Sequence, residues 1–125
     1  MNGNRYVLDT NAIVALLQGN SQLIQLLQGA DWIGVSVISK IEFLAFSGLS
    51  QEDRQLFEQF LQRVEVVNLV ASDAVLIKKI IEIRQQYRLK LPDAIIAAMA
   101  IQNSASLVTA DQEFAKVTIL TLINW

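Results

Sequence analysis

Short apolar segments with strand character alternate with helix-spaced segments along the whole chain, and this alternation constrains the fold more than any other feature. Arg5-Tyr6-Val7-Leu8-Asp9 reads as a strand, and Ile13, Leu16 and Leu17 then set a helical spacing over Asn11 to Gln18. A second helix is expected from a Ser21 cap. Trp32 to Val37 reads as a strand, Ile38 to Phe46 as a buried helix, and Gln51 to Gln62 as an amphipathic helix with Leu56, Phe60 and Leu61 inward. Val64 to Leu69 returns to strand, and Ser72 caps a long helix running to about Arg88. Lys90-Leu91-Pro92 breaks that helix, and Pro92 suits the first turn of the next, Asp93 to Gln102. Ser106 to Thr109 and Thr118 to Leu122 close the chain as strands.

Strands separated by helices pair in parallel through right-handed crossovers. The expected fold is therefore α/β, one domain over residues 1–125, with an open, mostly parallel sheet of four to five strands and helices on both faces. Ligands in such folds collect at the carboxyl ends of the strands. Asp9 ends the first strand and Asp111 lies just past Thr109 at the end of a later one, so both carboxylates fall on one rim.

The residue inventory narrows the chemistry. The chain has no Cys and no His, which removes disulfides, thiolate nucleophiles, the commonest general base and the commonest transition-metal ligand. Any metal must then be held by oxygen, and hard oxygen donors suit Mg²⁺ or Mn²⁺. No apolar run reaches the roughly 20 residues that span a bilayer, and Met1 to Tyr6 lacks the pattern of a signal peptide. A cytoplasmic protein without membrane contact is expected. The net charge of −2 opposes nucleic-acid binding by charge alone. Lys78, Lys79, Arg84, Arg88 and Lys90 nevertheless hold half of the ten basic residues, with only Glu82 against them. They form either a solvated helix face or a local positive patch.

Four acids carry the site reading, and each has a structural alternative. Asp9, before Thr10 and Asn11, is either a helix N-cap or a ligand. Glu42 interrupts the apolar run Ile41, Phe43, Leu44, Ala45 and Phe46, so it is either an outward residue at a helix edge or a buried charge that needs a cation. Asp93 opens Ala94-Ile95-Ile96-Ala97-Ala98-Met99-Ala100-Ile101, a segment apolar on nearly every face; the helix dipole favours it there, yet a surface cap needs no buried helix behind it. Asp111 either caps a short helix through Phe114 or joins the other three. All four lie where strand or loop gives way to helix, or within the first turns of one.

At these residues the sequence resembles the PIN domain family, in particular the toxin ribonucleases of bacterial VapBC toxin–antitoxin pairs. The resemblance rests on Val7-Leu8-Asp9-Thr10-Asn11, the helical Glu42, Leu91-Pro92-Asp93-Ala94-Ile95-Ile96-Ala97-Ala98, and Leu107-Val108-Thr109-Ala110-Asp111 with Phe114. It implies an acidic quartet at Asp9, Glu42, Asp93 and Asp111, supported by Thr109 and Asn11, that binds Mg²⁺ or Mn²⁺ and hydrolyses RNA. Asp9 and Asp93 would be the leading ligands, with Glu42 and Asp111 acting through water or orienting it. Ala110 departs from the longer polar residue common in relatives. The resemblance further implies a homodimer and a small antitoxin partner, for which Gln51 to Leu61 offers a candidate surface. Arg84, at helical spacing from Ile80 and Ile81, either turns toward the core side to meet RNA or stabilise an acid, or makes a structural pairing.

Two other readings compete: a PIN-like module that binds RNA or protein without cutting, and a haloacid dehalogenase-like phosphatase. The second needs an Asp two residues after the first, where this chain has Asn11.

Overall fold

The structure, a computed structural model, describes residues 4–125; of the opening Met1 to Tyr6, residues 1–3 lie outside those described. Five strands form one sheet: β1 (Arg5–Leu8), β2 (Trp32–Ser36), β3 (Glu65–Val67), β4 (Ser106–Val108) and β5 (Leu122–Ile123). Their order is β3-β2-β1-β4-β5 and every neighbouring pair is parallel, as the strand–helix alternation requires. Six α-helices connect them among the described residues: α1 (Thr10–Leu17), α2 (Ser21–Gln28), α3 (Val37–Leu44), α4 (Gln51–Leu61), α5 (Ala74–Tyr87) and α6 (Leu91–Gln102). A short 3-10 helix covers Gln112–Lys116.

Strand alternation sends side chains to two cores, one on each face of the sheet. Val7 and Leu107 meet Leu76, Ile80 and Ile83 of α5 and the run Ala94 to Ala100 of α6. Tyr6, Leu8, Val35 and Val108 meet Ile13 of α1, Leu23 of α2, Phe43 of α3 and Phe57 of α4. Helix α6 is the inner helix, because every residue from Ala94 to Ala100 is buried and small side chains let it sit close to the sheet.

From β1 the chain builds outward through β2 to β3, then crosses back to lay β4 on the other side of β1. The switch point of the sheet therefore lies between β1 and β4, and the crevice above their carboxyl ends is where this architecture admits a ligand. Register places Leu8 beside Val108, so Asp9 and Thr109 leave adjacent strands side by side.

Several local expectations are corrected. Asn20, not Ser21, caps α2 by accepting from the Leu23 amide at 3.1 Å, and Asp73, not Ser72, caps α5 by accepting from the Leu76 amide at 3.1 Å. Both pairs contain two competent caps, and the residue still in extended or irregular conformation takes the role. Helix α3 is not a buried helix: it ends at Leu44, only Ser39 and Phe43 are buried, and Ile41 and Phe46 are 58% and 66% exposed. An eight-residue helix crossing the core edge buries one i, i+4 stripe. In α4 the inward anchor is Phe57, stacked on Phe43 with ring centroids 4.0 Å apart, whereas Leu56 is exposed. The last strand holds only Leu122–Ile123, since Val117 to Leu120 form a turn that packs Val117 and Leu120 under α5 and α6. Arg84 is exposed and lies along the surface, its Nη1 donating to the Leu89 carbonyl at 3.1 Å.

Candidate metal centre

Asp9 terminates β1 and is the N-cap of α1, its Oδ1 accepting from the Ala12 amide at 2.8 Å. Its other oxygen, Oδ2, accepts from the Thr109 hydroxyl, and Thr109 Oγ1 in turn accepts from the Asp111 amide at 2.9 Å. Asp9 is 5% exposed and Thr109 fully buried. The cap alternative for Asp9 is thus real and uses one oxygen, while the second oxygen ties β1 to β4 across the switch point. Thr109 fixes both the Asp9 carboxylate and the start of the loop that carries Asp111.

Asp93 stands in the first turn of α6, half-buried, and makes no hydrogen bond among the described residues. Glu42, on the exposed side of α3, accepts from the Thr10 hydroxyl through Oε1 at 2.6 Å, which turns it toward the start of α1. Asp111 is the N-cap of the 3-10 helix, its Oδ1 accepting from the Glu113 amide at 2.9 Å. Asp9, Thr10, Asn11, Glu42, Asp93 and Asp111 line one cavity of about 230 Å³, with Ile96 and Phe114 as its apolar floor. Four segments far apart in sequence thus bring four carboxylates to the crevice at the switch point.

Their charges act on one another. Burial pushes the Asp9 carboxyl above its ordinary 3.8; the hydrogen bonds from Thr109 and the Ala12 amide pull it down, and the charges of Asp111 and Glu42 push it up. Burial likewise raises Asp93, with Asp111, Glu42 and Asp9 adding to the rise and Lys90 opposing it. Two acids held above their ordinary range by burial and by like charge are relieved by a cation. The donors also have the right chemistry for one. All are oxygen, and Asp93 together with the second oxygens of Glu42 and Asp111 is free of hydrogen bonds among the described residues. As they stand, no three acidic groups among the described residues close on a common point within ligating reach. The caps on Asp9 and Asp111 each occupy one oxygen and leave the acids spread around the cavity wall.

Sequence reasoning named Asp9, Glu42, Asp93, Asp111, Thr109 and Asn11, and the structure places the first four and Asn11 on the cavity wall, with Thr109 beneath Asp9. It assigned no role to Thr10, which directs Glu42, and read Lys90 only as part of the basic stretch, whereas its charge also reaches Asp93. The signal for Thr10 was its place at the first position of α1, directly after a rim carboxylate.

A family description of the PIN domain matches residues 6–120. No curated protein matches the chain. Among solved structures, VapBC2 from Rickettsia felis bound to a DNA fragment from their promoter is similar at 25% identity and a TM-score of 0.80, over 97% of this chain and 98% of that one. A toxin–antitoxin complex from Klebsiella pneumoniae is similar at 25% identity and 0.77, over 94% and 95%. VapBC-1 from nontypeable Haemophilus influenzae is similar at 26% identity and 0.71, over 97% and 98%. With the family match running over nearly its whole length and the fold superimposing end to end on these structures, the chain belongs to the PIN domain family.

Proposed function

We propose that this protein is a divalent-metal-dependent endoribonuclease and the toxin of a toxin–antitoxin pair. The observation that carries the reading is the convergence of Asp9, Glu42, Asp93 and Asp111 on one cavity at the switch point of the sheet. The similarity to VapBC complexes supports the toxin role and a small antitoxin partner. Homodimerisation rests on the family resemblance alone.

Asp9 and Asp93 are the primary ligands in this reading, because burial and like charge give them the most to gain from a cation. Glu42 and Asp111 hold and orient the attacking water. Mg²⁺ or Mn²⁺, once bound, would supply Lewis-acid activation of water and neutralise charge on the phosphate under attack. The rest is the chain's own work. Thr109 works against the burial of Asp9 by donating to Oδ2, which favours its charged form, and the Asp111 amide, bonded to the same hydroxyl, fixes that loop to the strand end. Thr10 holds Glu42 toward the cavity. Ile96 and Phe114 keep water from behind the acids and so strengthen each electrostatic interaction in front of them.

Incubation of a structured RNA pool with the purified protein in Mn²⁺, Mg²⁺ or EDTA tests the reading. Cutting with either metal, absent in EDTA and in Asp9→Asn and Asp93→Asn, is expected. Intact RNA with folded wild-type protein in both metals refutes it and leaves the non-cutting binding module.

A further inference from the structure

At the turn between α5 and α6 lies an open depression of about 600 Å³ lined by Arg84, Arg88 and Lys90 with Ile81, Gln85 and Leu89. None of its cations stands in an ion pair among the described residues, although Arg84 donates to the Leu89 carbonyl. The ion pairs among the described residues are Lys79 with Glu82 and Lys116 with Glu113, so the upper part of the basic stretch behaves as a solvated helix face while Arg84, Arg88 and Lys90 have no acidic partner.

Local structure favours a cation at Arg84 and, by the dipole alone, at Arg88, but it opposes the backbone conformation of Arg88 and the charge of Lys90. Arg84 sits in the last turn of α5, where the dipole favours a cation, and its hydrogen bond to Leu89 pins the turn. Arg88, however, takes the left-handed conformation at φ 57°, a helix-end position where Gly is the unstrained choice. Lys90 is the N-cap of α6 and makes no capping hydrogen bond; a cation there meets the positive end of the dipole, where Ser, Thr, Asp or Asn would stabilise the helix. Residues that work against their own local structure mark sites kept for another purpose. Lys90, the N-cap of α6, lies one helical turn before Asp93 in the first turn of the same helix, which links the rim of the depression to the acid wall.

We infer that Arg88 and Lys90 form a binding track for the backbone phosphates of single-stranded RNA, leading the strand to the acid cavity, with Arg84 as the residue that positions the turn. The inference rests on the nuclease reading for its direction along the strand, and on the unpaired cations for the contact itself. It also answers the net charge of −2, because a chain that repels RNA overall needs one local attractive surface beside the site.

The double variant Arg88→Gly/Lys90→Ser separates function from structure, since each change relaxes a local penalty. Binding of a labelled RNA of roughly 12 nucleotides is followed by fluorescence anisotropy in EDTA, over salt from about 0.05 to 0.3 M. Expected are an unchanged or higher melting temperature, a log K against log salt slope shallower by about 1.4, and affinity lower on the order of tenfold at the low-salt end, for two lost phosphate contacts. Arg54→Gln/Arg63→Gln, which removes the same charge from around α4 on the opposite face, should leave the slope as in wild type. Equal slopes in the first variant and wild type overturn the inference and return the cations to a solvated helix face. An equal loss in the Arg54/Arg63 control, or no binding by wild type, overturns it as well. Because EDTA removes metal-dependent cutting from the readout, a chain that binds by this track but does not cut in Mn²⁺ refutes the nuclease reading alone.

Discussion

Replacing Thr109 by Val keeps the shape of a fully buried side chain and deletes the hydroxyl that donates to Asp9 Oδ2 and accepts from the Asp111 amide. A hydrogen bond to a charged group contributes about 1.5 to 3 kcal/mol, and the Asp111 amide, closer to water, adds about 0.5 kcal/mol when its acceptor goes. The expected loss is about 2 to 3.5 kcal/mol near neutral pH, which for a chain of this size corresponds to a fall of roughly 8 to 13 °C in Tm. The loss should also depend on pH. Asp9 is already held above its ordinary value, and the Thr109 bond pulls it down, so Thr109→Val raises it further. An acid with a raised folded pKa contributes stability that is present below its unfolded value and lost as pH rises through the folded one. The variant therefore falls further below wild type as pH increases from about 4 across that window, and less at its acid end. Calorimetric melting of both proteins in EDTA over a pH series measures this, with Thr109→Ser as the variant that keeps the hydroxyl. Curves for Thr109→Val and wild type that superimpose at every pH would refute the claim that this hydroxyl holds a buried charge.

Three further outcomes are expected. The metal-free protein should lose stability as pH rises above about 4, because the folded state holds protons on Asp9 and Asp93 that the unfolded state has released, and saturating Mn²⁺ should reverse that trend in a melting series. Asp93→Asn should melt at or above wild type in EDTA, since it removes one of four repelling charges and no hydrogen bond, while weakening Mn²⁺ binding by at least about 100-fold in calorimetry, the upper range for supporting residues around metals. Phe57→Ala should cost about 3 to 5 kcal/mol in urea unfolding through loss of a fully buried ring stacked on Phe43, whereas Leu56→Ala should stay within about 0.5 kcal/mol.

The sheet was legible because its signals are local. Tyr6-Val7-Leu8 and Leu107-Val108 are short apolar runs that end in polar rim residues, and parallel pairing follows once helices lie between strands. What escaped depends on partners distant in sequence. In α4 Phe60 and Leu61 pack inward as expected but Phe57 replaces Leu56 beside them, because Leu56 and Phe57 each start a stripe through Phe60 or Leu61 and only Phe43 on α3 decides between them. The run around Glu42 read as buried because composition does not record that α3 crosses the edge of the core, leaving Ile41 and Phe46 in solvent. Glu42 does reach the acids, but for a reason absent from its own segment, the Thr10 hydroxyl. Asp9 and Asp111 each proved to be a cap and a wall of the cavity at once, so the two readings of those residues were never exclusive.

The most direct test of the acid quartet as one centre is calorimetric titration of Mn²⁺ into the wild-type protein and into Asp9→Asn and Asp93→Asn, each first shown to be folded. Asn keeps one acceptor oxygen for the Ala12 amide and turns its NH2 group toward Thr109 Oγ1, which can accept, so the cap stays and the fold is expected to survive. One shared site predicts that wild type binds Mn²⁺ and that either substitution alone abolishes binding. Wild-type affinity retained in either variant, or no binding by the wild-type protein, would contradict it and leave four acids that cap and solvate separate elements.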